Sequence, residues 1–270
     1  MIDIEPKYSE DFLQIIEQFI SSKVSETQSN GIVIAISGGL DSALVLKISS
    51  LIFPSSKITP VFLPESTTPP QDAKDARFIA KKCKVKLIEF PIDDILKSYL
   101  VINKLPKPGT LALGNLKARI RMNIIFLIAN TLNRLVLGTS NKSELLLGYF
   151  TKFGDGASDV APIGDLYKTQ VYKMAEHLKL PKSLISKPPT AGLVINQTDE
   201  VDLGLDYLNI DKILMGLEHG MAVNTIAQIL ALPEEDVKKI KLRVEKNRHK
   251  RKFPKIPKIG IKTIGLDLYE

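Results

Sequence analysis

Apolar residues fall into two kinds of run along the chain. Ile32-Val33-Ile34-Ala35-Ile36 is unbroken, too short for a helix and too apolar for a half-exposed strand, so it predicts a buried central strand of a parallel sheet. ITPVFL (Ile58–Leu63), KLIEF (Lys86–Phe90) and RLVL (Arg134–Leu137) predict three further strands. Between them the apolar spacing becomes helical. Phe12, Ile15, Ile16, Phe19 and Ile20 mark a helix over Tyr8–Lys23, and Ile120, Ile124 and Ile128 mark a long one from a cap at Asn115, over Leu116 to about Thr131. Other helices are predicted over Leu40–Ser50, Gln71–Lys82, Ile92–Leu100 and Gln170–Leu180. From Asp199 onward only helices appear: Asp206–Leu217, Val223–Leu230 and Glu234–Lys246. Strands alternating with helices imply an α/β fold with right-handed crossovers. The chain divides as one domain, 1–270: an N-terminal helix in 1–30, an α/β core in 31–180, a helical part in 181–246 and a basic tail in 247–270.

Two places break the pattern in a chemically informative way. Ser37-Gly38-Gly39 joins the first strand to a helix, and such a turn aims free N–H groups and the positive end of the helix dipole at an anion. Asp41 lies in the first helical turn, within reach of a divalent metal on a bound phosphate. No Lys follows the glycines, so this is not a Walker loop. Second, Gly148–Thr169 is long, Gly-rich and polar, with Asp155, Asp159 and Asp165; such loops are functional or disordered. Phe150, Phe153, Val160 and Ile163 give it anchors and argue for order. Gly138-Thr139-Ser140 ends the fourth strand, where open α/β sheets place ligands.

Composition narrows the class. An apolar content of 44% in 270 residues is that of a globular chain. No apolar run approaches the roughly 18 residues of a membrane span, and the acidic start MIDIEPKYSE has no export-signal core. One cysteine, Cys83, excludes an internal disulfide and a Cys-x-x-Cys site, which makes the cytoplasm the expected compartment. Three scattered histidines do not suggest zinc. The net charge of +7 is concentrated late: Lys238–Lys262 holds 12 Lys/Arg against Glu245 alone. That run suits a solvated tail, an arm over polyanionic substrates, or RNA. Only Phe253 interrupts it, so no base-stacking surface is indicated.

The loop SGGLDS resembles the pyrophosphate loop of ATP pyrophosphatases, which split ATP between its α and β phosphates. Four more blocks resemble the NAD synthetase branch of that family. They are NLKARIRM (Asn115–Met122), the run from Gly138 to Val171, KPPTAGL (Lys187–Leu193) with QTDEVDLG (Gln197–Gly204), and HKR (His249–Arg251). The resemblance implies a three-layer, doubly wound parallel sheet of the adenine nucleotide alpha hydrolase-like kind, with a helical C-terminal part. It implies a ligase that amidates deamido-NAD (nicotinic acid adenine dinucleotide) to NAD with ammonia, releasing AMP and pyrophosphate.

By the same resemblance Ser37, Gly38, Gly39, Asp41, Ser42, Thr139, Lys168 and Thr190 bind ATP. Asp41 and Glu144 hold Mg²⁺. Arg119, Lys152, Asp159, His249 and Lys250 contact deamido-NAD. Asp41 and Lys168 are the expected catalytic groups, Lys168 steadying the departing pyrophosphate. A homodimer is usual in that family, and the apolar face of Ile120, Ile124, Ile125 and Ile128 would permit one. Neither nucleic acid nor membrane is an expected partner. Leu40 fills the loop's variable position, and Ala35 stands where the family often has Gly. The alternatives are a tRNA-modifying ATP pyrophosphatase and a non-catalytic nucleotide-binding module.

Overall fold

The computed structural model describes residues 3–101, 107–189, 199–252 and 254–264. Four parallel strands, β1 (Ile32–Ala35), β2 (Ile58–Phe62), β3 (Ile88–Glu89) and β4 (Leu135–Leu137), form one sheet in the order β3-β2-β1-β4. Ile32, Val33 and Ile34 are 0% exposed because the central strand is covered on both faces. The pleat alternates them: Ile32 and Ile34 enter the cluster beneath α1 (Asp11–Glu26), α2 (Leu40–Ile52) and α3 (Pro70–Lys82). Val33 points the other way, toward α4 (Asp93–Leu100) and α5 (Thr110–Leu132). The helices on both faces make the three layers and the doubly wound sheet that the resemblance implied. Each such aliphatic side chain contributes roughly 1.5–3 kcal/mol on burial.

Pro60 sits inside β2 without breaking it. Val61 O accepts from Ile36 on the β1 side, and Phe62 O accepts from Phe90 on the β3 side. Pro60, two residues before Phe62, therefore faces β3, which pairs only with Val61 and Phe62. Its missing N–H falls where no ladder partner exists.

The polypeptide continues through α6 (Lys142–Leu147), α7 (Lys168–His177), α8 (Lys182–Ile185), α9 (Asp199–Leu203), α10 (Tyr207–Glu218), α11 (Val223–Leu230) and α12 (Glu234–Lys246), and ends its regular part in a 3-10 turn, Asn247–Arg251. Helices α10 to α12 bury Ile210, Ile213, Ile226, Val237 and Ile240 in a cluster of their own, which also takes in Leu147 and Tyr167 beside the sheet.

The structure corrects several expectations. The long helix begins at Thr110 behind Gly109, five residues before Asn115. Asn115 is not its cap; its side chain accepts a bond from the Thr151 hydroxyl. Ile120 and Ile125 are buried against the sheet, so they serve the core and not an outer face. The large apolar residues that α5 exposes are Leu111, Leu127 and, at its end, Leu132 instead. Lys117 and Arg121, on the same helix, are ion-paired with the nearly buried Glu65 carboxylate. Strand β3 shrinks to two residues. Helix α7 starts at Lys168, two residues earlier than its periodicity suggests, which places that lysine in the first turn.

Candidate active site

The strand order reverses between β1 and β4. In a doubly wound sheet this opens a crevice at the carboxyl ends of those two strands. Ser37-Gly38-Gly39 leaves β1 on one side of it and Gly138-Thr139-Ser140-Asn141 leaves β4 on the other. The first turn is held from within. Ser42 Oγ accepts the Ser37 N–H at 3.2 Å and donates to Gly39 O at 3.0 Å, while Ser37 Oγ accepts the Gly39 N–H at 3.1 Å. Ser42 is buried and shapes the loop, whereas Ser37 is exposed at its rim. Gly38 adopts a φ of +83°, and a Cβ there would stand 2.7 Å from Asp72 Cα, so the loop lies directly on the start of α3. Ala35 is exposed at the strand's end.

Lys187 clamps this contact. Its ammonium donates to Gly38 O at 2.9 Å, Asp72 Oδ1 at 2.6 Å and Asp75 Oδ2 at 2.7 Å, using all three N–H donors. Burial alone would lower its pKa, but the two aspartates outweigh that and raise it.

Across the crevice, Asn141 caps α6 in a reciprocal box. Its side chain accepts the Glu144 N–H at 3.0 Å, and Glu144 Oε2 accepts the Asn141 N–H at 3.2 Å. Asn141 also donates from Nδ2 to Asp41 Oδ1 at 2.9 Å, which joins Asp41 to the turn carrying Glu144. Lys168 completes the group. Its ammonium donates to Asp41 Oδ2 and stands 3.9 Å from Glu144 Oε1. Burial by itself would lower the Lys168 pKa, but the charges of Asp41 and Glu144 hold it above the ordinary lysine range. Burial, then the charge of Asp41, push the Glu144 carboxyl up to about 8. Two carboxylates that share one ammonium are short of positive charge.

The residues here suit a divalent cation in a specific way. Among the described residues no three His, Cys, Asp or Glu side chains gather as a metal cage. Two converging carboxylates are the donor set of a magnesium ion that takes its remaining ligands from phosphate and water.

A second group lies along the Gly148–Thr169 loop. Lys152 donates to His249 O at 2.9 Å and Lys252 O at 2.8 Å, and Arg119 from α5 donates to Lys152 O at 3.4 Å. Lys250 donates to Gly148 O at 2.6 Å and Phe150 O at 2.9 Å, and burial lowers its pKa. Asp159 is fixed at the open edge of β4, its Oδ2 accepting the Val136 N–H at 2.8 Å. The structure thus gathers Arg119, Lys152, His249 and Lys250. It brings Asp41, Glu144 and Lys168 together separately, with Thr139 half-buried at the end of β4. Thr190 lies outside the described residues. Within the loop Val160 and Ile163 are buried as anchors, but Phe153 is 57% exposed beneath the Lys152 ammonium. Cys83 is half-buried, and burial raises its thiol pKa more than the nearby lysines lower it.

Asn141, Ser143, Lys187 and Asp211 were not singled out from sequence. Asn141-x-x-Glu144 is a readable capping box. The partners of the other three lie 25 to 149 residues away, beyond any local pattern.

A doubly wound parallel sheet with a glycine loop and paired carboxylates at its switch point defines a nucleotide-binding α/β protein. The NAD synthase family model matches residues 12–254, and the chain belongs to that family. It is 42% identical to the NH(3)-dependent NAD(+) synthetase of Methanococcoides burtonii, over 90% of this chain and 92% of that one. The NH3-dependent NAD synthetase of Campylobacter jejuni, solved with a nitrate ion, superposes with a TM-score of 0.78 at 31% identity, over 96% of this chain and all of that one. An NMN synthetase from Francisella tularensis gives a TM-score of 0.83 at 29% identity, over 94% of this chain and all of that one. The family match decides for the NAD synthetase branch over the tRNA-modifying alternative.

Proposed function

We propose that the protein forms NAD by ATP-dependent amidation of deamido-NAD with ammonia. The observation that carries this reading is the convergence of Asp41, Glu144 and Lys168 at the crevice beside the glycine loop. A carboxylate resists ammonia because oxide would have to leave. In the proposed reaction the nicotinate carboxylate attacks the α-phosphorus of ATP, the bond to the β-phosphate oxygen breaks, and pyrophosphate departs. Ammonia then attacks the resulting acyl-adenylate, and AMP leaves with the electron pair of the acyl–oxygen bond.

The glycine loop and the start of α2 bind the ATP phosphates, with Ser37 and Thr139 at the rim and Thr190 as a further contact. Asp41 and Glu144 hold Mg²⁺, which would neutralise charge as the two polyanions approach. Lys168 then turns from the carboxylates to the departing pyrophosphate, a cation already desolvated and held in place. Arg119, Lys152, Asp159, His249 and Lys250 seat deamido-NAD. Lys152 and Lys250 each spend two donors on backbone carbonyls, so they position the loop as well as offering charge. Two copies pair through α5, where Leu111 and Leu127 are 70% and 67% exposed. Among the described residues no helix is long and apolar enough to cross a membrane, and the single cysteine agrees with a cytoplasmic setting.

A second reading follows from the NMN synthetase that shares the fold: formation of the mononucleotide, NMN. Purified protein given ATP, Mg²⁺ and ammonium should convert deamido-NAD to NAD with matching AMP, and nicotinate mononucleotide much more slowly. The reverse preference would install the second reading, and AMP release without either substrate would defeat both.

A further inference from the structure

The reacting groups sit on the α/β core, yet a helix outside it grips two of the segments that carry them. Asp211, on α10, is 0% exposed, and no step of the proposed reaction uses it. Its Oδ1 accepts from the Ser143 hydroxyl at 2.5 Å, and its Oδ2 accepts the Thr169 N–H at 2.8 Å. Ser143 Oγ in turn accepts the Lys168 N–H at 2.9 Å. Ser143 immediately precedes Glu144, and Thr169 immediately follows Lys168. One buried carboxylate is therefore bonded to both segments whose side chains flank Asp41.

The same face of α10 repeats the grip two turns on. Glu218, seven residues after Asp211, accepts from Lys142 Nζ at 2.7 Å and from the Tyr167 hydroxyl at 2.6 Å. Each α10 acid thus spans one residue near Glu144 and one near Lys168. Apolar packing would have been a cheaper use of Asp211's position, because a buried carboxylate carries a desolvation cost that its bonds only partly offset. Burial pushes this carboxyl up to about 6 even with Ser143 and Thr169 pulling it down.

We propose that Asp211 is a positioning residue: acting through Ser143 and the main chain of Thr169, it sets the separation of the Glu144 carboxylate and the Lys168 ammonium, and with it the affinity for magnesium-bound ATP and the rate of adenylation. This rests on the proposed roles of Glu144 and Lys168. Loss of the grip acts on the ATP side of the site and leaves the Lys152–His249 side alone. Simple loss of folded protein lowers the apparent kcat and moves neither KM.

The test uses the full chain as Asp211→Asn, Ser143→Ala and the double variant, with the folded fraction taken from urea denaturation. Per folded molecule, each single variant should lose about tenfold or more in kcat and show a several-fold higher KM for ATP, with the KM for deamido-NAD within about twofold of the parent. The double variant should be no worse than the weaker single one, because both changes cut one chain of bonds. Single variants with parental kcat and ATP KM, or a double variant whose losses multiply, would overturn the proposal. If Asp211→Asn does not fold, Ser143→Ala decides alone on the same criteria. If the parent makes no amide product, the functional reading fails separately. Calorimetric binding of ATP with Mg²⁺ then decides this one: weaker binding in the folded variants supports it and parental binding overturns it.

Discussion

Asp41→Asn tests the centre of the site most directly. The change keeps the shape and the acceptor for Asn141 but removes one charge beside a fully buried ammonium. Removing one partner of a buried ion pair ordinarily costs about 3–5 kcal/mol of stability. Here a reserve exists. Glu144 stands 3.9 Å from the same ammonium, and its carboxyl is raised in part by the charge of Asp41. With that charge gone Glu144 ionises more readily and takes over the pairing. The expected stability cost is therefore about 1–2 kcal/mol, below the usual figure for a broken buried pair.

Turnover has no such reserve. Glu144 cannot neutralise Lys168 and serve the cation with its usual partner missing. A barrier increase of about 3–4 kcal/mol, or roughly 10²–10³-fold in kcat, is expected by analogy with the loss of one preorganised electrostatic contact. Urea denaturation gives the first quantity and the initial rate of NAD formation the second. A variant within about threefold of parental kcat would refute the role of Asp41. One that fails to fold would refute the compensation by Glu144.

The remaining predictions concern nitrogen, the loop, assembly and pH. Ammonium salts should support NAD formation and glutamine very little, with the ammonium rate rising between about pH 7 and 9 because only NH₃ is nucleophilic; Cys83→Ser should change nothing, and efficient glutamine use by this chain alone would refute the reading. Gly38→Ala should cost at least about 1–3 kcal/mol in urea denaturation, since it combines a left-handed φ with a clash against Asp72, and it should raise the KM for ATP; a neutral result would mean that the loop does not lie on α3. Sedimentation at micromolar concentration should show a dimer, and Leu127→Glu should release monomers; a fully active parental monomer would sink the α5 interface. Asp211 holds its proton more tightly folded than unfolded, at about 6 against the 3.8 of an ordinary aspartate, so its contribution favours the native state at low pH and is lost as pH rises through about 6. Relative to Asp211→Asn, the parent should gain up to about 3 kcal/mol between pH 7 and pH 4, and parallel stability curves would show that Asp211 is ordinarily ionised throughout.

What was legible in the sequence was what is local. The run Ile32–Ile36 announces a doubly covered strand because every second residue faces a different apolar layer, leaving no polar position to alternate. The end points of α11 and α12 follow from their own periodicity and from Pro233 at the start of the latter. Asn115 misled because it is a good capping residue by type; the cap position went instead to Gly109, and Asn115 was drawn into bonding the distant Thr151. Ile120 and Ile125 misled for a related reason. An apolar stripe shows that a face is buried but not whether a sheet or a second molecule covers it. Asp41, Glu144 and Lys168 were found through motif resemblance, and their spatial meeting depends on the strand reversal between β1 and β4, which no window of sequence contains.

The basic end of the chain shows how charge can be spent before any partner arrives. Composition alone invites a polyanion for Lys238–Lys262. In the fold, Arg251 donates to Leu145 O at 2.9 Å and Leu146 O at 2.5 Å, Asn247 donates to Leu147 O at 3.0 Å, and Lys250 donates to Gly148 O at 2.6 Å. These are carbonyls at the carboxyl end of α6, which carry the negative end of its dipole. Gly148 closes that helix at a φ of +65°, and a Cβ there would run into the Asn247 side chain, so the turn and the basic segment fit only as a pair. Glu144 stands in the first turn of the same six-residue helix. The C-terminal segment therefore braces one end of α6 while Asp211 braces the other. A helix too short to be stable alone is thus fixed at its carboxyl end by the part of the chain that composition would have assigned to a loose, solvated arm, and at its other end by α10.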